Sequence, residues 1–172
     1  MDLFETIQAR QSVRAYQARD IEEEKLEAIL SAANQAPSAG NLQAYEIYLT
    51  RERGLKQALA RAAGDQEFLT QAPVLLVFCV HPARSATRYG QRGRQLYCLQ
   101  DAAIAVAYAQ LAATALGLGT CCVGAFDDQG VAKALSLPRW IRPVAVLPVG
   151  YPAESPARTP RRPLADLVHP LP

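Results

Sequence analysis

The chain places two arginines and a serine at alternate positions near its start, in the stretch RQSVRAY. Arg10, Ser12 and Arg14 are two residues apart, and side chains with that spacing share one face of an extended segment. Two guanidinium groups and a hydroxyl on one face can form a receptor for a phosphate or a similar oxyanion. The alternative is a solvated basic surface, because charged side chains are common there.

A second polar stretch, APSAGNLQAY, follows a predicted helix. Pro37 ends that helix and Gly40 permits a positive φ. The short polar side chains beside the next strand are Ser38, Asn41 and Gln43. Turns of this kind can present backbone N–H groups and amide side chains to a planar polar ligand, although an ordinary helix-to-strand loop favours the same residues.

The stretch GLGTCCVGAFD resembles a dinucleotide-binding glycine fingerprint but does not match it. The third glycine would have to stand at Cys122, and the stretch follows a helix and enters a strand, which is the wrong order. Gly124 and Ala125 instead offer bare backbone against which a flat ligand can lie. Cys121 and Cys122 are interpreted as neighbours in a buried strand, with a strained vicinal disulfide as the alternative.

The cysteines indicate neither a metal site nor a disulfide framework. Cys79, Cys98, Cys121 and Cys122 have no paired C-x-x-C spacing and no histidine cluster beside them, so we expect no metal. Their apolar surroundings favour a reduced, cytoplasmic protein.

Arginines also cluster at two later places. The stretch HPARSATRYGQRGRQ carries Arg84, Arg88 and Tyr89, which either line a substrate site or belong to an exposed basic loop. The stretch TPRRPLADLVH carries Arg161 and Arg162. These two either complete an anion site that begins at Arg10 or belong to a solubilising tail.

The elements that position these residues follow from apolar spacing and from breakers. Helices are predicted over 2–10, 22–36, 51–63, 93–116 and 127–135. Strands are predicted over 44–50, 73–80, 119–123 and 144–149. Helices and strands mix without a regular β-α-β alternation, so we expect an α+β fold with a mixed, mostly antiparallel central sheet flanked by helices.

The predicted helix over 93–116 is apolar on every side and rich in alanine, which is typical of a helix that is buried all round. It is at the short limit for a membrane span, carries Gln110 and Thr114 and gains little hydrophobicity from alanine. A chain of this size has little protein to surround a central helix. We therefore expect a second subunit to cover part of it.

Length and composition predict one domain over residues 1–172. The net charge of +2 is too small to favour nucleic acid or a membrane as the main partner, and the acidic start is unlike a signal peptide. Most of the twelve prolines lie from Pro138 onward. The tail over 150–172 should therefore run extended and dock through its apolar residues.

Taken in order, RQSVRAY, APSAGNLQAY, GLGTCCVGAFD, VLPVGYP and RRPLADLVH make the chain resemble the nitroreductase family of flavin enzymes. The resemblance covers essentially the whole chain. It implies the nitroreductase fold and an intertwined homodimer with two FMN sites at the subunit interface, where the tail docks.

The resemblance also implies residue roles. Arg10 and Ser12, with Arg161 or Arg162, would hold the FMN phosphate, and Arg14 would lie near the pyrimidine edge of the flavin. The full set expected to bind FMN is Arg10, Gln11, Ser12, Arg14, Pro37, Ser38, Ala39, Asn41, Gln43, Cys122, Val123, Gly124, Ala125, Arg161 and Arg162. Pro37, Ser38 and Asn41 would come from the other subunit, and substrate would meet Arg84, Arg88 and Tyr89.

The implied reaction is ping-pong hydride transfer from NAD(P)H through flavin N5 to a small flat acceptor such as a nitroaromatic compound or a quinone. It requires no catalytic side chain. Longer relatives carry an insertion where this chain has only HPARSATRYGQRGRQ, so a different reaction on the same fold is an alternative: reductive dehalogenation, flavin fragmentation or dehydrogenation. A non-catalytic FMN-binding module is another.

Overall fold

The computed structural model describes residues 1–171, so Pro172, the last residue of the predicted tail, lies outside the described part. Within that part the helices are α1 (Leu3–Ala9), α2 (Glu23–Asn34), α3 (Arg53–Ala62), α4 (Phe68–Gln71), α5 (Pro82–Arg92), α6 (Cys98–Ala115) and α7 (Asp128–Ala134). The strands are β1 (Tyr45–Thr50), β2 (Val74–Val80), β3 (Gly119–Thr120) and β4 (Arg142–Gly150). Short 3-10 turns lie at Ala39–Asn41 and Leu164–Asp166, and a π-helical turn lies at Gly93–Tyr97.

The strands of the described residues form one antiparallel sheet in the order β1-β2-β4-β3. The predicted α+β class is therefore confirmed. The strand predicted over 119–123 is shorter than expected, because regular pairing stops after Thr120. It resumes only at Val123, which exchanges two backbone hydrogen bonds with Val146 at 2.9 and 2.8 Å.

The central strand β2 divides the core into two halves. All of its residues are buried, as its continuous apolar run predicts, and successive side chains point to opposite faces of a sheet. Leu76 and Phe78 belong to the half that α2 and α6 cover. Leu75 and Val77 belong to the half that α3 and α7 cover.

Helix α6 is not buried all round within the single chain, contrary to the prediction from its composition. Ala102, Ala105 and Ala109 pack into the core. Ala107 and Tyr108 on the other side are exposed. Helix α2 and the sheet occupy the buried side. Within the described residues, the single chain therefore leaves part of its central helix uncovered.

The stretch predicted as a basic loop is instead helix α5. His81 caps it by accepting the Arg84 N–H at Nδ1 over 3.1 Å, and Pro82 takes the first helical position, which suits proline. Gly90 then has φ 54° and ψ −135°, so the chain bends sharply before α6. We call residues 82–97 the basic elbow.

The helical region Pro82–Ala115 contains a stretch that is long and apolar enough to cross a membrane by composition, an 18-residue window with a mean hydropathy of 1.2. The bend at Gly90 interrupts this region. Its apolar half, α6, packs on the sheet. The apolar part of this region therefore packs as a helix of the protein core.

The segment after α1 is extended and lies against the β3 end of the sheet. Ser12 bridges Thr120, and the Val13 N–H donates to the Thr120 carbonyl at 2.9 Å. The buried Tyr16 hydroxyl donates to the Val13 carbonyl at 2.7 Å. These contacts fix which side chains of the segment turn into the core.

Two facing glycines leave room for this segment. Gly119 and Gly150 pair across β3 and β4. A methyl group added at Gly119 would lie 2.8 Å from Val13 Cγ2, and one at Gly150 would lie 2.9 Å from Tyr16 Cδ1. The segment can approach the sheet this closely only because both positions lack a side chain.

The tail runs extended over the surface, as its prolines predict. The Ala153 N–H donates to the Ala15 carbonyl at 2.8 Å, and Arg158 reaches the Gln8 carbonyl at 3.0 Å. Beyond these anchors the apolar side chains of Leu164 and Leu167 are exposed. The chain itself does not supply the surface on which they were expected to dock.

We predict that Gly119→Ala lowers the free energy of unfolding by about 1–3 kcal/mol, because the new methyl group would force Val13 and the sheet apart. Urea denaturation followed by circular dichroism measures the change. Gly124→Ala is the matched control, since a methyl group there meets no atom within 4 Å. Equal stability of the two variants would contradict the close packing of the N-terminal segment.

Candidate functional site

Arg10, Ser12 and Arg14 all influence the buried thiol of Cys121. Burial raises the pKa of that thiol above its ordinary value, while the charge of Arg14, hydrogen bonding by Ser12 and the charge of Arg10 act to lower it. Such influences are strong only at short range. All three residues are therefore in the neighbourhood of Cys121, on the segment that pairs with β3.

Neither guanidinium of this trio is neutralised by a carboxylate. The ion pairs within the described residues involve other parts of the chain, so Arg10 and Arg14 have no carboxylate oxygen within 4.0 Å. The carboxylate of Glu154 accepts the backbone N–H of Arg14 instead. Two cations without an ion-pair partner among the described residues favour an anion from outside the chain.

A cleft of about 470 Å³ opens beside Arg10, between α1 and the tail. Its lining residues are Ile7, Gln8, Arg10, Gln11, Arg158, Thr159, Pro160 and Arg161. It contains three arginines and no acidic residue. Arg158 and Arg161 each use one nitrogen on a carbonyl, of Gln8 at 3.0 Å and of Thr159 at 3.1 Å, which leaves further N–H groups free for a ligand.

Arg161 and Arg162, the two arginines predicted to complete this site, lie in different places. Arg161 lines the cleft with Arg10. Arg162 does not, and its Nη2 donates to the Asp166 carbonyl at 2.6 Å. Arg158 was not predicted as a site residue, because single arginines in a proline-rich tail give no signal of where the tail lies.

The loop that carries Pro37 to Gln43 is bent by left-handed residues. Gly40 has φ 58°, Asn41 has φ 54° and Gln43 has φ 47°. The Ser38 hydroxyl accepts the Gln43 N–H at 3.0 Å and closes the loop on itself. Left-handed residues other than glycine cost about 1–3 kcal/mol each and are found where surrounding structure holds them, often at functional sites.

The carboxylate of Asp101, on α6, helps to hold the loop over 37–43 in this conformation. The residue is only 2% exposed. One carboxylate oxygen accepts the Ala39 N–H at 2.9 Å and the other accepts the Ala44 N–H at 3.4 Å. A buried acid is tolerated when it is hydrogen-bonded, so Asp101 ties both ends of the loop to the central helix. In the sequence, the sign of this role is that Asp101 is a lone acidic residue inside an alanine-rich helix.

The basic elbow packs on the outside of the same loop. A methyl group added at Gly40 would lie 2.6 Å from the Tyr89 hydroxyl and 2.9 Å from Arg88 Nη1. Arg84 Nε donates to the Leu42 carbonyl. The three residues predicted to meet substrate therefore lie together, against the loop predicted to meet FMN.

The stretch from Cys122 to Ala125 presents open backbone. The interpretation of both cysteines as residues of a buried strand is wrong for Cys122, which is exposed because the strand ends at Thr120; Cys121 is buried and both thiols are free. Val123 is held by its bridge to Val146. A methyl group added at Gly124 would meet nothing within 4 Å, so a flat ligand can approach the main chain there, as expected from the sequence.

The two groups of predicted site residues are separate within one chain. Pro37, Ser38 and Ala39 line a cleft of about 580 Å³ against α6. Arg10 and Arg161 line the other cleft, and neither cleft contains residues of the other group. A ligand that needs both groups cannot find them in one cleft of a single chain.

Comparison with known proteins assigns this architecture to a family. Residues 7–66 and 55–151 match the model of the Nitroreductase family. An FMN reductase [NAD(P)H] from Bacillus subtilis is 30% identical over 182 residues, covering 98% of this chain and 73% of the relative. A protein named NADH dehydrogenase from Thermus thermophilus is 32% identical over 186 residues, covering 92% of this chain and 91% of the relative.

A solved structure shares the fold over the same extent. The NADPH:FMN oxidoreductase from Vibrio harveyi, complexed with NAD+, superposes with a TM-score of 0.91 at 29% identity, covering 99% of this chain and 77% of that one. Sequence and structure therefore agree over nearly all of the described residues, and the chain belongs to the nitroreductase family.

Proposed function

We propose that the protein is an FMN-dependent oxidoreductase that uses NAD(P)H to reduce nitroaromatic compounds, quinones or similar flat small molecules. The observation that carries the proposal is the acid-free cleft of Arg10, Arg158 and Arg161, whose free N–H groups suit a phosphate. Family membership supports the flavin, because the relatives from Bacillus subtilis and Vibrio harveyi are named as an FMN reductase and an NADPH:FMN oxidoreductase.

The residues of this chain fit the flavin ring of FMN as well as its phosphate. Arg10, Ser12 and Arg161 would hold the phosphate, with Gln11 and Arg158 contributing from the same two segments. Arg14 would lie near the pyrimidine edge. The ring would be held by the backbone and side chains of Pro37, Ser38, Ala39, Asn41, Gln43, Cys122, Val123, Gly124 and Ala125. Support for this comes from the open main chain at Gly124 and from the cleft that Arg10 and Arg161 line together.

The active protein would be a homodimer in which residues of both copies form each FMN site. Apolar side chains are exposed on three elements of the single chain: Phe4 on α1, Tyr108 on α6, and Leu164 and Leu167 in the tail. Faces of this kind mark protein interfaces. A second copy that covers them would bring its loop over 37–43 to the arginine cleft of the first. The whole chain then acts as one domain, and its tail docks on the partner.

Bound FMN supplies hydride chemistry that no side chain can supply. The chain's own residues bind and orient. Arg14 provides positive charge where reduction makes the ring more negative, the left-handed loop shapes one wall of the site, and Arg84, Arg88 and Tyr89 border the substrate. We assign no side chain as nucleophile, acid or base. The free cysteines suit a reducing cytoplasm.

We predict that Arg10→Ala weakens FMN binding by about 1.5–3 kcal/mol, the range for hydrogen bonds to a charged group. Titration of the FMN-free protein with FMN, followed by flavin fluorescence, gives the Kd. Arg53→Ala is the control, because Arg53 is an exposed arginine at the start of α3, away from the cleft. An Arg10→Ala protein with the FMN affinity of the control would contradict the phosphate assignment.

We predict that Ala107→Glu yields a monomer that has lost its FMN. A charge on the exposed face of α6 would be buried without a partner in the dimer, which is strongly unfavourable. Light scattering gives the mass, and absorbance near ~450 nm gives the flavin content. Ala28→Glu, on the exposed side of α2, is the matched control. A monomeric Ala107→Glu protein with full FMN occupancy would overturn the composite site.

We predict that Asp101→Asn weakens FMN binding by about tenfold, because an amide N–H₂ would face the Ala44 or Ala39 N–H and release the loop. The same substitution should alter the visible circular dichroism of the flavin, which reports how the ring is held. Asp20→Asn makes the same charge change in an exposed turn. A lower melting temperature with unchanged FMN affinity and unchanged flavin dichroism would show that Asp101 has only a structural role.

A further inference from the structure

The basic elbow carries four exposed arginines and no acid. Arg84, Arg88, Arg92 and Arg94 lie within eleven positions, and all four are exposed. None takes part in an ion pair within the described residues. Uncompensated positive charge at this density raises the local concentration of anions and speeds their arrival.

Two of these arginines make one hydrogen bond each and keep further donors free. Arg84 uses Nε on the Leu42 carbonyl, and Arg92 uses Nε on the Tyr97 hydroxyl at 3.0 Å. The terminal nitrogens of both side chains stay available, because a guanidinium has five N–H donors. Two of the four guanidiniums are thus anchored by hydrogen bonds, on a helical scaffold.

Two tyrosines connect these arginines to the cleft beside the loop. The rings of Tyr89 and Tyr97 meet edge to face, with centroids 5.0 Å apart. The guanidinium of Arg88 lies 5.5 Å from the centre of Tyr89 and that of Arg92 lies 5.5 Å from the centre of Tyr97. Tyr97 also lines the cleft of Pro37, Ser38 and Ala39. An aromatic surface bordered by cations therefore adjoins the proposed flavin site.

We infer that the basic elbow makes the protein select substrates that carry a negative charge beside their flat reactive part. This inference rests on the proposed function and names the substrate class of the same site. The shared ligand chemistry is a phosphate or sulfonate-like group bound by Arg88 and its neighbours. Its two possible sources are the 2′-phosphate that distinguishes NADPH from NADH and an anionic group on the acceptor.

The test compares the FMN-loaded protein with its Arg88→Gln and Arg94→Gln variants at low ionic strength. Arg53→Gln is the control for loss of one charge outside the elbow. Two ratios of kcat/KM are measured: NADPH over NADH, and anthraquinone-2-sulfonate over uncharged menadione. Binding of NADP+ and of NAD+ to the oxidised holoenzyme, followed by titration calorimetry, provides a readout that is independent of turnover.

We expect one of the two ratios to exceed about tenfold in the unaltered protein and to fall about tenfold in each elbow variant, as for one charged contact. It should also fall with added salt. A fall in the NADPH ratio, with weaker NADP+ binding, identifies the donor as the anion. A fall in the sulfonate ratio identifies the acceptor. In either case the Arg53→Gln protein should keep the original ratio.

Ratios near one that no elbow variant changes, in a protein that binds FMN and oxidises NADH or NADPH, would overturn the inference and leave the proposed function standing. Equal losses in the Arg53→Gln control would overturn it too, because net charge alone would then explain the effect. Failure of the unaltered protein to bind FMN would instead overturn the proposed function, and this inference with it.

Discussion

The pairing of the N-terminal segment with the β3 end of the sheet is the interaction on which the candidate site depends. The Val13 N–H bonds to the Thr120 carbonyl, and the facing glycines at 119 and 150 let the segment lie close to the sheet. With Val13 turned into the core, Arg10, Ser12 and Arg14 share the other side. A slip of one residue would exchange the two sides, burying guanidiniums and dispersing the anion receptor.

Helix α6 provides the second constraint, because it serves two purposes at once. Its buried side carries Asp101, which holds the loop over 37–43 in a left-handed shape. Its other side carries small residues such as Ala103 and Ala107, which are exposed in the single chain. In the proposed dimer, the subunit contact and the geometry of the loop would therefore be coupled through one helix. Each copy would then supply only part of the wall around the cofactor.

Much of the fold could be predicted from local pattern. The apolar run of β2 predicted the central strand, and the alternate spacing of Arg10, Ser12 and Arg14 predicted the basic face. Both features depend on residues that are neighbours in the chain. The basic elbow was missed, since Arg and Gly suggest a loop and only the turn at Gly90 reveals two packed helices. Arg158 and Asp101 were missed because their roles depend on residues far away in sequence, Gln8 for one and the 39–44 backbone for the other.

The central claim is that one cofactor site draws on two chains, and FMN binding by a mixed dimer tests it most directly. The mixed dimer pairs an Arg10→Ala chain with an Asp101→Asn chain, each purified through its own tag. If the site is shared, one site of the pair carries both changes and the other carries neither. About half of the sites should then bind FMN with the affinity of the unaltered protein. Two weakened sites, one for each change and neither at the original affinity, would contradict the account.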